Sequence, residues 1–225
     1  MKTGGVSICG SFHKNNQDSF TVQQINGGFI LAVSDGLGSR KLSQAGSAAL
    51  CQAACNVAEN FSCNIDDEEN FLSEVNKCWL QILFDYELKI SDCNATALIG
   101  VKNSNTLWLF RLGDGFIGAA FDDTAVTLFD DKEEEFTNVT NCLEENFCYE
   151  LWNWRKIEFE NFVGIVAATD GLVLEINEDN LNKFIKEFCK SYEQTSAQEI
   201  LTDIKIWLPK FKGIDDKTLA FLLEE

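Results

Sequence analysis

Histidine, proline and methionine occur once each in this chain, and 18 lysines and arginines face 36 aspartates and glutamates. Each scarcity excludes something. A single histidine, His13, leaves too few imidazoles for a zinc centre. One proline and no Pro-, Gly- or Ser-rich tract leave no linker, and no internal repeat is present. A single domain over residues 1–225 is therefore expected. There is no CxxC pair, and the cysteines are odd in number and scattered, nine in all. Reduced, buried, structural thiols fit that pattern better than a disulfide framework. No stretch approaches the ~18 apolar residues of a membrane span, and Met1-Lys2-Thr3-Gly4-Gly5 opens no apolar signal segment. A cytoplasmic protein is expected. The formal net charge of -18 repels phosphate backbones and anionic head groups, so neither nucleic acid nor a membrane surface is an expected partner.

What is present is apolar material enough for a core. Apolar residues make up 45% and aromatics 12% of the chain, far from a disordered composition. Residues 4–10 and 18–25 have β character. The near-continuous apolar run over 28–35 stops at Asp35-Gly36, as a buried strand ending in a turn would. The Ala-rich stretch from Ser43 to about Phe61 reads as a helix with Ser43 as N-cap. A second helix is expected over 67–90, with Phe71, Val75, Cys78, Trp79, Ile82 and Tyr86 on one face. Strands follow at 94–102, 105–112, 115–121 and 124–129. The acidic and Trp-containing segment 130–156 reads as an irregular surface excursion. Strands at 157–160 and 163–169, helices at 178–190 and 196–208, and a strand at 217–223 complete the chain.

Consecutive strands joined by short turns pair antiparallel. Helices set apart from such strands predict the α+β class and a layered sandwich rather than alternating βαβ units.

The chemistry-bearing pattern is aspartate at strand ends. Val33-Ser34-Asp35-Gly36 and Ala168-Thr169-Asp170-Gly171 both end apolar runs. Leu112-Gly113-Asp114-Gly115 sits in a turn, Ile214-Asp215-Asp216 precedes the last strand, and Gln17-Asp18 opens an early one. A lone Asp-Gly is usually a turn. Several carboxylates held rigid and partly desolvated near one another repel strongly. A hard divalent cation removes that repulsion, and carboxylate with main-chain carbonyl is the ligand set of magnesium or manganese.

The order of these motifs resembles the protein phosphatase 2C type of metal-dependent serine/threonine phosphatase. His13-Lys14-Asn15-Asn16-Gln17-Asp18 is similar to its Arg-x-x-Asn-(Glu/Gln)-Asp. Val33-Ser34-Asp35-Gly36-Leu37-Gly38, followed by Gly46-Ser47-Ala48-Ala49, is similar to its Val-x-Asp-Gly-x-Gly and small-residue helix. Asn94-Ala95-Thr96-Ala97, Gly113-Asp114-Gly115, Thr169-Asp170-Gly171 and Asp215-Asp216-Lys217-Thr218 resemble its Gly-x-Thr-Ala, Gly-Asp-Ser, (Ser/Thr)-Asp-Gly and Asp-Asn-x-Thr motifs. The likeness runs over residues 10–223.

The resemblance implies a four-layer α-β-β-α sandwich with two central, mainly antiparallel sheets flanked by helix pairs. It implies hydrolysis of phosphoserine and phosphothreonine at a binuclear Mn2+ or Mg2+ centre by a metal-bridging hydroxide. Asp35 would bridge two ions and the Gly36 carbonyl would bind one. Asp170 and Asp215 would complete the first site, and Asp18 would hold a metal-bound water. Asp114, with Asp170, would bind a third ion. The implied partners are a phosphorylated protein substrate and a serine/threonine kinase with its targets, and the implied state is a monomer.

The pattern is not kept everywhere. His13 stands where the family has a phosphate-gripping arginine, although a bacterial branch similar to this chain also has histidine nearby and the Gly-Asp-Gly form. His13, Lys14 and Arg40 are the candidate phosphate donors, with Lys41 an alternative. Asp216 replaces the usual asparagine and adds charge beside Asp215. The departures leave a second reading, a catalytically weak or silent phosphatase-like module that binds or regulates a partner.

Overall fold

The computed structural model describes residues 1–12, 14–122, 124–129, 140–173 and 180–225. His13, the acidic run at 130–135 and the expected start of a helix at 178 lie outside the described residues. The elements are β1 (Lys2–Ile8), β2 (Ser19–Ile25), β3 (Gly28–Ser34), α1 (Ser43–Asn60), α2 (Glu68–Asp85), β4 (Ala97–Lys102), β5 (Thr106–Leu112), β6 (Phe116–Phe121), β7 (Thr124–Leu128), β8 (Asn153–Glu158), β9 (Gly164–Ala168), α3 (Asp170–Val173), α4 (Leu181–Ser191), α5 (Ala197–Trp207) and β10 (Lys217–Leu223).

The strands form two five-stranded antiparallel sheets. One has the order β1-β10-β9-β6-β7 and the other β2-β3-β4-β5-β8. Alternate residues of one strand serve different cores. Ile30 and Ala32 of β3 pack under α1 and α2 with Leu50, Phe71, Val75 and Trp79. Leu31 and Val33 point the other way and meet Ile165, Ala167, Ala220 and Leu222 between the sheets. Val166 of β9 and Phe221 of β10 face Ile185, Phe188, Ile200 and Ile204 beneath α4 and α5. The result is the α-β-β-α sandwich. Burial on both faces explains why these antiparallel strands read as unbroken apolar runs rather than as an alternation.

Several expectations shift. β1 spans Lys2–Ile8, not 4–10, because its partner β10 begins at Lys217, which pairs with Ile8. α2 ends at Asp85, short of 90: Glu87 takes φ 55 and the Leu88 N–H donates to the Leu83 carbonyl, which turns the chain away. Tyr86 is consequently 69% exposed rather than on the buried face. Asp67 caps this helix through the Asn70 N–H. α1 has no such cap. Leu42 occupies the cap position, and the Ser43 hydroxyl donates to the Arg40 carbonyl instead.

The strand expected at 157–160 is Asn153–Glu158, reaching back into the segment read as irregular. It pairs with β5 as an edge strand, and Trp154 lies 5.6 Å from Trp108. Its partly buried apolar residues, Trp154 and Ile157, face different cores and so give no period-two alternation to read. Of the cysteines, Cys51, Cys55, Cys63, Cys93 and Cys189 are buried thiols as expected, whereas Cys9 and Cys148 are exposed. No described helix is long and apolar enough to cross a membrane.

Candidate metal centre

Strand register brings the aspartates to one end of the sandwich. Ser19 at the start of β2 pairs with Ser34 at the end of β3, so Asp18 and Asp35 are neighbours. Ala168 at the end of β9 pairs with both Leu219 and Phe116. The turn carrying Asp114, the start of α3 at Asp170 and the entry to β10 at Asp215 therefore crowd the same edge. β3 and β9 are interior strands of their sheets, which makes their ends rigid platforms.

Asp35, Asp114 and Asp170 each place a carboxylate oxygen within 4.8 Å of the other two. All three are half-buried. Among the described residues, Asp18 and Asp215 fall outside that set of three. Their charges still act on it. Burial, then the charges of Asp114 and Asp215, pushes Asp170 up to about 7. Burial and the charges of Asp18 and Asp170 hold Asp35 well above the carboxylate range. Asp18 is raised to about 6 by burial, opposed by hydroxyl bonds from Thr218 and Thr169. This is the signature of carboxylates crowded without a counter-charge.

The supporting hydrogen bonds are specific. Thr218 Oγ1 donates to Asp18 Oδ2 at 2.7 Å and Thr169 Oγ1 donates to the same oxygen at 2.9 Å. Because Thr218 spends its proton there, Ser7 must donate to Thr218 (2.6 Å), and Asn16 Nδ2 donates to Ser7 (2.7 Å). A chain of donors thus runs into Asp18. The Asp35 N–H donates to Thr96 Oγ1 at 2.9 Å, and the Thr96 N–H returns a bond to the Asp35 carbonyl at 2.8 Å. Thr140 donates to Asp114 Oδ2 at 2.8 Å. Gly113, just before Asp114, has φ +99, and a Cβ there would lie 2.5 Å from the Thr96 side chain, so only glycine makes this turn.

Among the described residues, Asp18 Oδ1 and Asp170 Oδ1 are buried with no hydrogen-bond partner. Orphaned carboxylate oxygens beside a three-oxygen cluster fit a hard divalent cation, which would satisfy and neutralise them at once.

Of the candidate phosphate donors, Lys14 and Arg40 are both exposed. Lys14 lines a pocket with Asn15, Gln17, Lys41, Ser43 and Gln44, so Lys41 rather than Arg40 shares its surroundings. Arg40 lies toward Cys142, whose thiol pKa its charge lowers against a larger rise from burial. Sequence reasoning quoted Thr169 and Thr218 within motifs but gave them no role, and it missed Thr140, for which no signal was available.

A family model described as protein phosphatase 2C matches residues 11–208. The chain belongs to the protein phosphatase 2C family. The match stops short of Asp215 and Asp216. Among solved structures, a bacterial serine phosphatase aligns with TM-score 0.75 at 12% identity, covering 100% of this chain and 98% of that one. The serine/threonine phosphatase Stp1 from Staphylococcus aureus aligns with TM-score 0.71 at 12% identity over 100% and 95% of the two chains. RsbX in complex with magnesium aligns with TM-score 0.60 at 19% identity over 97% and 92%. At such identities these likenesses speak for the shared fold. No significant match to a curated protein is found by sequence. The expected four-layer phosphatase 2C sandwich is the observed one.

Proposed function

We propose that this phosphatase 2C member is an active metal-dependent protein serine/threonine phosphatase, built as a single catalytic domain over residues 1–225. The observation that carries the reading is the set of Asp35, Asp114 and Asp170 oxygens within 4.8 Å of one another, with Asp170 Oδ1 and Asp18 Oδ1 buried and unpartnered. A catalytically silent copy would have no physical reason to keep carboxylates that repel one another this strongly.

In this reading Asp35, Asp170, Asp215 and the Gly36 carbonyl hold two divalent ions, Mn2+ or Mg2+, and Asp114 joins Asp170 at a third. The magnesium in the RsbX complex supports that class of ion. Bound divalent ions supply Lewis acidity that lowers the pKa of water from 15.7 toward about 7 and offset charge on phosphoryl oxygens. Asp18, with Oδ2 pinned by two threonine hydroxyls, keeps Oδ1 as a rigid acceptor for a water proton. Lys14, Arg40 and His13 bind the substrate phosphate. The substrate is a phosphoserine or phosphothreonine protein made by a kinase, and the compartment is the cytoplasm.

The test is hydrolysis of para-nitrophenyl phosphate and a phosphothreonine peptide with manganese, alongside calorimetric titration of Mn2+. Expected are manganese-dependent turnover and a fall of about 10³-fold or more in Asp35→Asn and Asp170→Asn, with loss of the tight Mn2+ isotherm. Absence of turnover in the wild type would leave a phosphatase-like binding module.

A further inference from the structure

Asp216 is 3% exposed and sits one residue past a candidate metal ligand, yet both of its oxygens are turned to the main chain. Oδ1 accepts from the Gly10 N–H at 2.7 Å and Oδ2 accepts from the Gln17 N–H at 2.7 Å. The two donors lie at opposite ends of the loop between β1 and β2. A third bond, from the Phe12 N–H to the Ile214 carbonyl at 3.0 Å, ties the loop's middle to the same strand entry. Gly10 is pressed so close that a Cβ there would lie 2.3 Å from the Asp215 carbonyl. The Gln17 peptide then continues across the site: its carbonyl accepts from the Gly36 N–H at 3.1 Å and from the Ser47 hydroxyl at 2.6 Å.

We propose that Asp216 is a positioning residue that clasps the 10–17 loop at both ends and so presents Lys14 to the substrate phosphate. The carboxylate matters for this, and not merely a polar side chain. An amide has one acceptor oxygen and an NH2 that only donates, so it cannot offer one acceptor atom to Gly10 and another to Gln17. One N–H would be left facing a donor. The aspartate in place of the family's asparagine is thus matched to this chain's own loop, whose Gly10 and Gln17 N–H groups and Cys9 side chain it meets. Lys14 is carried by the clasped segment and shares its pocket with Lys41, so a displaced loop opens the cationic wall without removing any candidate metal ligand.

This inference rests on the phosphatase reading, and the experiment separates the two. Steady-state kinetics with para-nitrophenyl phosphate at saturating Mn2+ are compared for wild type, Asp216→Asn and Gly10→Ala, with Mn2+ affinity measured by calorimetry. Gly10→Ala displaces the same loop at its first end, by collision with the Ile214 and Asp215 carbonyls. Expected in both variants is a KM raised about tenfold, with kcat within about threefold of wild type. Inhibition by inorganic phosphate weakens in parallel, and in Asp216→Asn the Mn2+ dissociation constant stays within about threefold. A wild type without manganese-dependent turnover overturns the phosphatase reading itself. An active wild type with unchanged KM in the variants overturns only the role of Asp216. So does an Asp216→Asn protein that loses Mn2+ affinity and kcat together, which would make it a ligand. If Asp216→Asn does not fold and Gly10→Ala keeps the wild-type KM, Asp216 serves stability alone and the proposal fails.

Discussion

Thr140 donates its hydroxyl to Oδ2 of Asp114 at 2.8 Å, and so joins the middle of the long β7–β8 connection to the carboxylate cluster. Two further bonds anchor the same connection: the Leu143 N–H to the Ala95 carbonyl at 2.8 Å and Asn94 Nδ2 to the Leu143 carbonyl at 2.8 Å. Asp114 is therefore oriented from outside its own turn.

Thr140→Val removes that bond while the backbone anchors at Leu143 remain. A hydrogen bond to a charged group contributes roughly 1.5–3 kcal/mol, so the occupancy of whichever ion Asp114 holds should weaken about tenfold. Isothermal titration with Mn2+ reads this as a loss confined to the weakest site. A Thr140→Val isotherm identical to wild type would detach Asp114 from metal binding.

Stability of the metal-free protein should fall as pH rises from about 4 to about 7. Asp170 is pushed up to about 7 and Asp18 to about 6 in the fold, whereas both ionise near 3.9 when unfolded. Below pH 4 these groups are protonated in both states and contribute nothing. Between the two values the folded state binds more protons than the unfolded chain, so the slope of stability with pH is negative. Above about 7 the full penalty applies. Asp170→Asn removes its share, at most roughly 4 kcal/mol. Thermal melts in chelator at pH 5 and pH 8 should show the variant gaining far more at pH 8, and added Mn2+ should narrow the gap.

Thr218→Val takes away one of the two hydroxyls on Asp18 Oδ2 and interrupts the donor chain from Asn16 through Ser7. Hydrogen bonds to a carboxylate favour its charged form, so the Asp18 pKa should rise further above its ordinary value. Carbon NMR of the metal-free carboxyl would report the shift directly. The acid limb of the activity profile should move to higher pH with it.

Trp79 is fully buried between α1 and α2, and its Nε1 donates to the Gly46 carbonyl at 3.0 Å. Trp79→Phe loses that bond and leaves a void beside the small-residue face of α1. A cost of about 2 kcal/mol is expected from chemical denaturation, and of about 3–5 kcal/mol for Trp79→Ala. Turnover at saturating metal should be unchanged in folded Trp79→Phe, because the site is framed by strand ends.

Much of this architecture was legible in residue order. The runs at 28–35 and 217–223 read as buried strands because both faces are covered, and α2 was visible through its three- and four-residue apolar steps. The strand-end aspartates were visible as a type of residue in a type of place. Local signals failed where a partner element overrode them. Ser43 looks like a cap, but its hydroxyl turns back to Arg40 and Leu42 takes the position. Asn153–Glu158 looks irregular because its two apolar residues, Trp154 and Ile157, are three apart and face different cores, and its pairing with β5 supplies the rest.

Chain order alone carries the α+β class, the antiparallel strands and the aspartates placed at strand ends, because these follow from hydrophobic period and turn chemistry within short windows. Their convergence is a property of the tertiary structure. Ser19 opposite Ser34, and Ala168 opposite both Leu219 and Phe116, set residues far apart in sequence at one edge of the sandwich. Register across two sheets also turns Asp216 toward Gly10 and Gln17, and Thr140 toward Asp114. A hydrogen bond between segments tens to hundreds of residues apart leaves no periodic trace in either one, so only the packed fold reveals it.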